Sequence, residues 1–340
     1  MLRMISVPFI LLSLVIASCS GEKPVREVAF IYSGNIGGKI EPCGCNPPLG
    51  GIPRRATLIG ALREQLPDPL IIDAGALLYE TNFLTPPLDH ISRIEAGVLA
   101  KTIGIPGIDA LNVTSFDLAN SLDSLLAITN ENSLPWVSAN LARKATGEPL
   151  FPSERSFERN GVRIGVFGIM TDKFRGNPLF TGASPVQVVD PVETASREVK
   201  TLEADNDLVV ALVYASRNDM EQIAREVDGI DVILHSHNDY HNPSSDHNAF
   251  TPYKIGDTLV ISCPDGGRVL GILELTIAGD SMNFEPQPEG VSSPVSGKST
   301  YLNTFIDLTA DISSDPAVLA LTEPVSQMVT VYRDSLMTAR

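Results

Sequence analysis

Two short segments carry the side chains best suited to bind a metal ion or to exchange electrons. The first is Glu41-Pro42-Cys43-Gly44-Cys45. Side chains at i and i+2 of an extended segment point to the same side, so both sulfur atoms could reach one ion or cofactor. A set of sulfur and imidazole ligands is typical of a Zn²⁺ site. The second segment follows a predicted strand, and its candidate ligands are His235, His237, Asp239, His241, Asp246 and His247.

The amino-terminal residues predict export and a lipid anchor. A short basic start precedes an apolar run over 5–16, which is shorter than the roughly 20 residues that span a bilayer. Such a run is typical of a secretory signal peptide. Ile16-Ala17-Ser18-Cys19 resembles the bacterial lipobox, in which the cysteine after the cleavage site receives diacylglycerol. We therefore expect a signal peptide at 1–18, lipidation of Cys19, a tether at 19–27, and attachment to the periplasmic or outer face of a bacterial membrane.

The composition predicts a folded, acidic domain that does not bind nucleic acid. The chain has 340 residues, and 43% of them are hydrophobic, which is enough for a core. Its 25 Lys and Arg against 41 Asp and Glu give a net charge of −16. A surface this acidic repels nucleic acid, and it repels a phosphate group unless bound cations offset the charge. The expected partner is a membrane, reached through the lipid anchor; a protein partner and an unidentified small ligand remain open.

Apolar runs of strand length alternate with segments of helical spacing along the chain. This alternation predicts one α/β domain over 28–280, with mixed β-sheets flanked by helices. Residues 259–262 and 270–276 are predicted to form a late strand pair around a Pro-Asp-Gly-Gly turn. Beyond the domain we expect a Pro- and Ser-rich excursion and a closing helix within 281–340. The other predicted strands lie at 28–32, 70–72, 110–113, 136–139, 162–169, 208–214 and 231–234, and the predicted helices at 53–65, 90–103, 116–128, 191–203, 219–227 and 315–337.

Several segments together resemble the 5′-nucleotidase family of calcineurin-like metallophosphoesterases. Their joint occurrence, in order and with the family's spacing, is more specific than any one motif. The stretch Gly50-Gly51-Ile52-Pro53-Arg54-Arg55, which leads into a predicted helix, is typical of that family. The resemblance implies a layered calcineurin-like fold and a phosphoester hydrolase with two metal ions, which clamp a phosphate and activate a bridging water. The matching segments are 30–38, 50–59, 70–76, 109–117, 165–170 and 229–237.

Most positions that bind metal in the family carry other residues in this chain. Of the motif ligands, His235 and His237 are retained. Ala76 stands where an aspartate bridges the two metals, and a methyl group cannot bridge cations. Phe116 stands where a histidine helps to protonate the leaving group, and a phenyl ring has no proton to give. We therefore expect the standard two-metal hydrolysis to be absent or severely reduced. The positions that lack the family's ligands are Asn35, Gly37, Ala76, Ser115, Phe116 and Tyr214.

The paired cysteines lie in the loop that borders the metal site in the family, which leaves three interpretations open. A rebuilt site for one Zn²⁺ or another transition metal would use Cys43, Cys45, His235 and His237. A thiol redox protein would instead exchange disulfides between Cys43 and either Cys45 or Cys263. In the third interpretation, the cysteines are a structural staple and the histidines are remnants in a polar turn. Three functions also remain open: a binding module at the membrane, a thiol redox protein, and an active or weakly active metal-dependent phosphoesterase.

Overall fold

The computed structural model describes residues 25–171, 184–236, 247–262, 264, 266–288 and 297–338. Its α-helices are α1 (Ile52–Gln65), α2 (Asp89–Ile103), α3 (Leu122–Asn132), α4 (Pro191–Leu202), α5 (Arg217–Glu226) and α6 (Pro316–Thr338), and a 3-10 turn spans His247–Phe250. Its strands are β1 (Arg26–Ser33), β2 (Leu70–Asp73), β3 (Ala110–Asn112), β4 (Trp136–Val137), β5 (Leu141–Arg143), β6 (Glu154–Arg159), β7 (Val162–Met170), β8 (Val186–Val188), β9 (Leu208–Tyr214), β10 (Val232–Ser236), β11 (Tyr253–Ile255), β12 (Thr258–Ser262), β13 (Val269–Ile277), β14 (Glu285–Pro286) and β15 (Thr300–Asp307). Within these ranges, no helix combines the length and apolar character needed to cross a membrane.

Two mixed sheets form the centre of the molecule. The first has the strand order β14-β15-β13-β1-β2-β3-β4, and the second has the order β11-β12-β10-β9-β7-β6. The strands β1 to β4 run parallel to one another, whereas β13 is antiparallel to β1. In the second sheet, β7, β9, β10 and β12 are parallel, with antiparallel strands at both edges. This arrangement confirms the predicted mixed sheets flanked by helices.

The two sheets pack face to face, and helices cover their outer faces. Successive side chains of a strand point to opposite faces of its sheet. Phe30 therefore packs against the second sheet, in one cluster with Leu212. Its neighbour Ile31 points outward and packs with Ile59 of α1. Helices α4 and α5 cover the second sheet in the same way. The fold thus has four layers, and each large apolar side chain buried in them contributes about 1.5–3 kcal/mol.

The late strand pair predicted around the Pro-Asp-Gly-Gly turn is wrong. Residues 259–262 lie in β12, which pairs with β10 and β11 in the second sheet. Residues 270–276 lie in β13, which pairs with β1 and β15 in the first sheet. Between residues 262 and 269 the chain therefore passes from one sheet to the other. An apolar pattern identifies a strand but contains no information on its partner. Here β12 pairs with β10, and β13 pairs with β1, so the two predicted strands do not pair with each other.

Further elements differ from the sequence prediction. The strands β5, β6, β8, β11 and β14 were not predicted. Helix α3 begins at Leu122 and not at Phe116, because the Ser121 hydroxyl oxygen accepts the Ser124 N–H at 3.1 Å and caps the helix there. The segment after residue 280 contains a strand that was not predicted, β15, which pairs with β13 along eight residues. Its sequence, TYLNTFID, does not alternate polar and apolar residues as a half-buried strand usually does, and its side chains are half-buried or exposed along most of its length.

Candidate functional site

The carboxyl ends of parallel strands from both sheets meet at one edge of the molecule. In α/β proteins this edge is the usual place for a ligand. A Cβ atom on Gly34, directly after β1, would lie 3.0 Å from the Ser236 Cβ at the end of β10. The Ser236 hydroxyl donates to the Ala74 carbonyl at 2.8 Å, and the Asn112 side-chain amide donates to that same carbonyl at 3.3 Å. The two sheets are therefore fastened together where the candidate residues lie.

The loops after β1 and β2 are hydrogen-bonded side by side. The Asn35 N–H donates to the Gly75 carbonyl at 2.7 Å, and the Gly37 N–H donates to the Ala76 carbonyl at 3.0 Å. Gly37 has φ +60°, a left-handed conformation that favours glycine. Ala76 is 2% exposed beneath this pairing. Position 76 is thus occupied by a buried methyl group, and the neighbouring loop is hydrogen-bonded directly to its backbone.

Asp117 anchors the loop after β2 through hydrogen bonds to its backbone. Its Oδ2 accepts the Thr114 N–H at 3.0 Å and the Thr114 hydroxyl at 2.6 Å. Its Oδ1 accepts the N–H groups of Leu77 and Leu78 at 2.9 and 2.8 Å. Burial raises the pKa of Asp117, whereas these four hydrogen bonds lower it. Burial is the larger effect, and the resulting pKa is about 6. Sequence reasoning missed this role; the Thr-x-x-Asp spacing, in which both side chains can bond to the same turn, was the available signal.

A second buried carboxylate connects the ends of β1 and β2. The Ser33 hydroxyl donates to Asp73 Oδ2 at 2.5 Å, and the Gly75 N–H donates to Asp73 Oδ1 at 2.7 Å. The Arg55 guanidinium donates to the Ser33 oxygen at 2.7 Å. Burial raises the pKa of Asp73, while Ser33 and Arg55 act in the opposite direction. Arg55, from the Gly-Gly-x-x-Arg-Arg stretch, is itself buried and therefore positions the loop ends instead of contacting solvent-borne ligands.

Three of the candidate positions have become part of the apolar core. Ala76, Phe116 and Tyr214 belong to one buried cluster that also includes Ile36 and Met170. The rings of Phe116 and Tyr214 pack edge to face, with centroids 5.8 Å apart and planes inclined at 63°. Tyr214 is fully buried. The side chains of Phe116 and Tyr214 therefore pack against one another inside this cluster.

Ser115, next to Phe116 in the chain, is a buried polar residue beside this apolar cluster. Its side chain is 1% exposed. Its hydroxyl has no hydrogen-bond partner among the residues that the structure describes. A buried hydroxyl in that state costs about 1–3 kcal/mol.

His235 lies at the end of β10, and both of its ring nitrogens face hydrogen-bonding groups. Its Nε2 lies 3.0 Å from the Ala215 carbonyl oxygen, which can only accept, so Nε2 carries the proton. Its Nδ1 lies 3.5 Å from the Ser262 hydroxyl. The ring is 5% exposed. The lone pair of the neutral ring therefore points toward Ser262, and a metal ion would have to displace that hydroxyl. His237, the other retained ligand, lies outside the described residues.

Cys43 and Cys45 are joined in a disulfide. A disulfide sulfur is no thiolate, so in this oxidised form neither cysteine can act as the thiolate ligand of a zinc ion. Cys43 is half-buried, and Cys45 is exposed. Cys19 and Cys263 lie outside the described residues, so lipidation and pairing with Cys263 stay predictions.

The described side chains do not fit the dinuclear metal centre of the family. Gly37 and Ala76 have no side-chain donor atom, and Phe116 has none either. Over residues 25–171, 184–236 and the later described ranges, no group of three His, Cys, Asp or Glu side chains is placed to hold a metal ion. Clamping a phosphate between two cations needs several such ligands around each ion. The rebuilt zinc site, which includes His237, stays a prediction.

Comparison with known proteins identifies the class. No protein-family model matches the chain. A 5′-nucleotidase from Vibrio cholerae is 30% identical over 168 residues, which cover 48% of this chain and 30% of that protein. A calcineurin-like phosphoesterase from Bacillus subtilis superposes with a TM-score of 0.68 at 19% identity, covering 91% of this chain and 99% of that one. A 5′-nucleotidase precursor from Thermus thermophilus gives a TM-score of 0.68 at 20% identity, covering 90% and 59%.

The fold is therefore that of the calcineurin-like metallophosphoesterases. Within that class, the chain resembles the 5′-nucleotidases, with 28–30% identity over 48% of its length. The matched region spans about 30% of the length of the first curated relatives. The calcineurin-like fold expected from the sequence is confirmed, and these relatives support the expected resemblance to the 5′-nucleotidase family.

Proposed function

We propose that this chain is an exported, lipid-anchored member of the 5′-nucleotidase family that does not carry out two-metal phosphoester hydrolysis. The observation that supports this proposal is the apolar cluster of Ala76, Phe116 and Tyr214 at positions where the family binds metal. Bringing a charged metal ion and its water into such surroundings costs several kcal/mol unless ligands compensate. These three side chains supply no carboxylate or imidazole to do so.

The charge of the chain supports the same proposal. Its net charge of −16 repels a phosphate ester. In a two-metal enzyme the bound cations cancel that repulsion and lower the pKa of the attacking water. Arg55 is buried on Ser33, and Lys39 of the loop after β1 is paired with Glu80, so neither charge is free to replace these cations. The protein would then use its fold to bind a ligand or partner at the membrane.

The test is turnover of 5′-AMP and of bis(p-nitrophenyl) phosphate by the full chain, with added Mn²⁺, Co²⁺ or Zn²⁺. We expect rates no higher than those of buffer with the same metal. Metal-dependent hydrolysis that disappears in a His235→Ala, His237→Ala double variant but persists in His90→Ala would overturn the proposal. His90 is an exposed residue of α2 and serves as the matched histidine control. Activity that persists equally in all variants would come from a contaminant and would leave the proposal standing.

The rebuilt zinc site is the alternative binding function, and it makes a separate prediction. It requires the reduced form of Cys43 and Cys45, because zinc binds thiolates. Like other four-ligand structural sites, the reduced protein would then hold about one zinc ion per chain. The zinc content is measured by atomic emission after gel filtration. The Cys43→Ser, Cys45→Ser variant would hold none. Metal-free reduced protein after gentle purification would exclude this site.

A further inference from the structure

We propose that the Cys43–Cys45 disulfide is a site of thiol–disulfide exchange, through which the chain accepts two electrons from an external dithiol. This inference does not depend on the proposed absence of hydrolysis. It starts from the position of the disulfide, which joins cysteines two residues apart in an exposed loop. A Cβ on Gly44, between the two cysteines, would meet no atom within 4 Å. An attacking thiol can therefore approach the bond from solvent.

The two sulfur atoms lie in different surroundings, which assigns them different roles. Cys45 is exposed, so its sulfur is the one that an external thiolate can reach. Cys43 is half-buried, and its sulfur accepts the Leu49 N–H at 3.2 Å. A hydrogen bond donated to sulfur favours the thiolate over the thiol. Cys43 is thus the better leaving group, because exchange is faster when the departing thiol has a lower pKa.

The loop keeps its shape through bonds that do not involve sulfur. The Cys43 N–H donates to the Leu49 carbonyl at 2.8 Å, and the Gly50 N–H donates to the Leu308 carbonyl at 2.9 Å. The Arg54 guanidinium donates to the Gly50 carbonyl at 3.3 Å, which places a positive charge beside the loop. Both the ordered backbone and the nearby cation would persist after reduction. The dithiol form can therefore form without unfolding the neighbouring helix α1.

A purely structural role fits this disulfide less well. In the chain-entropy description, a disulfide stabilises a protein by closing a loop in the unfolded chain, and the effect grows with loop length. Cys43 and Cys45 are separated by two positions, the shortest kind of loop after an adjacent pair. The disulfide therefore restricts the unfolded chain little. Exposed disulfides of low structural value are the labile ones.

The exchange proceeds in two balanced steps. A thiolate of the external dithiol attacks the Cys45 sulfur, the Cys43–Cys45 bond breaks, and Cys43 leaves as a thiolate. The second thiolate of the external dithiol then attacks the dithiol sulfur that is bonded to Cys45. The bond between that sulfur and the Cys45 sulfur breaks, and Cys45 leaves as a thiolate. In total, the external dithiol loses two electrons and two protons and becomes a disulfide. Cys43 and Cys45 gain them and become two thiols.

The experiment measures native-state reduction of this disulfide. The full chain is incubated with reduced dihydrolipoic acid, quenched with iodoacetamide and digested with trypsin. Cleavage after Lys39 and Arg54 yields peptide 40–54, which contains Cys43 and Cys45 and no other cysteine. We expect two carbamidomethyl groups on this peptide at the same dithiol concentration in folded and urea-unfolded protein, while the circular dichroism of the folded sample stays unchanged. A disulfide that is reduced in urea only would overturn the proposal, and so would two free thiols in aerobically purified protein.

Single-cysteine variants test the assigned roles. Cys45→Ser leaves Cys43 as a thiol beside the Leu49 N–H, and Cys43→Ser leaves the exposed Cys45. We expect the pH midpoint of alkylation for Cys43 to lie about one pH unit below that for Cys45, because only Cys43 has the stabilising donor. Equal midpoints, or a lower midpoint for Cys45, would overturn the assignment of Cys43 as the leaving group. A structural staple would not predict any difference between the two.

Discussion

The buried carboxylate of Asp117 gives the sharpest quantitative prediction. Its pKa is 3.8 in an unperturbed chain, and burial raises it to about 6 in the folded protein. Between these two values, the folded state binds a proton that the unfolded state has lost. The contribution of Asp117 to the free energy of unfolding is therefore fully present below about pH 4, and it is lost as the pH rises through about 6. Because a tenfold change in an equilibrium constant corresponds to about 1.4 kcal/mol, the difference between the two pKa values contributes about 2–3 kcal/mol.

The perturbation is Asp117→Asn, which keeps the shape of the side chain and removes the titrating proton. The free energy of unfolding of wild type and variant is measured by urea denaturation from pH 4 to pH 7. We expect wild type to gain about 2–3 kcal/mol relative to the variant when the pH falls from 7 to 4. The other carboxylates titrate in both wild type and Asp117→Asn, so their contributions cancel in the difference between the two free energies of unfolding.

Asp207→Asn provides a control of opposite sign. The Arg163 side chain donates a hydrogen bond to Asp207 and lowers its pKa. Wild type should therefore lose stability relative to Asp207→Asn as the pH falls. A difference between wild type and Asp117→Asn that is constant over this pH range would refute the reasoning. A difference with the sign of the Asp207 control would show that the hydrogen bonds from Thr114, Leu77 and Leu78 outweigh burial.

Two further predictions concern Ser115 and the amino terminus. Ser115→Ala should leave the free energy of unfolding unchanged or raise it by up to about 1 kcal/mol, because it removes a buried hydroxyl without a partner in the described part of the chain. Thr114→Val, the matched control, should lower it by about 1–3 kcal/mol because Asp117 loses a donor; urea titration that reverses this order would contradict the assignment. The full chain isolated from membranes should have the mass of an acylated polypeptide that starts at Cys19, and Cys19→Ser should move it to the soluble fraction. An unacylated chain with another first residue would refute the lipid anchor.

The sequence by itself determined most strands, the helices of the two outer layers and the resemblance to the 5′-nucleotidase family. The strand predicted at 208–214 is β9 residue for residue, because seven successive apolar residues can only be buried on both faces. The helix predicted at 53–65 starts one residue earlier, at Ile52. These patterns are local, since each depends on the periodicity of a few neighbouring side chains. The expected replacement of metal ligands at Ala76 and Phe116 also comes from the sequence, because it depends on residue type alone.

Strand partners and the state of the candidate site were decided by the tertiary structure. The partner of β13 is β1, far away in sequence, and no local pattern specifies such a pairing. The ring nitrogens of His235 are engaged by Ala215 and Ser262, which adjoin it only after three strands have assembled. The sequence predicts that Phe116 and Tyr214 stand at positions where the family has metal ligands. That they pack against each other follows from long-range contacts, because the free energy of an apolar cluster depends on which side chains the fold brings together.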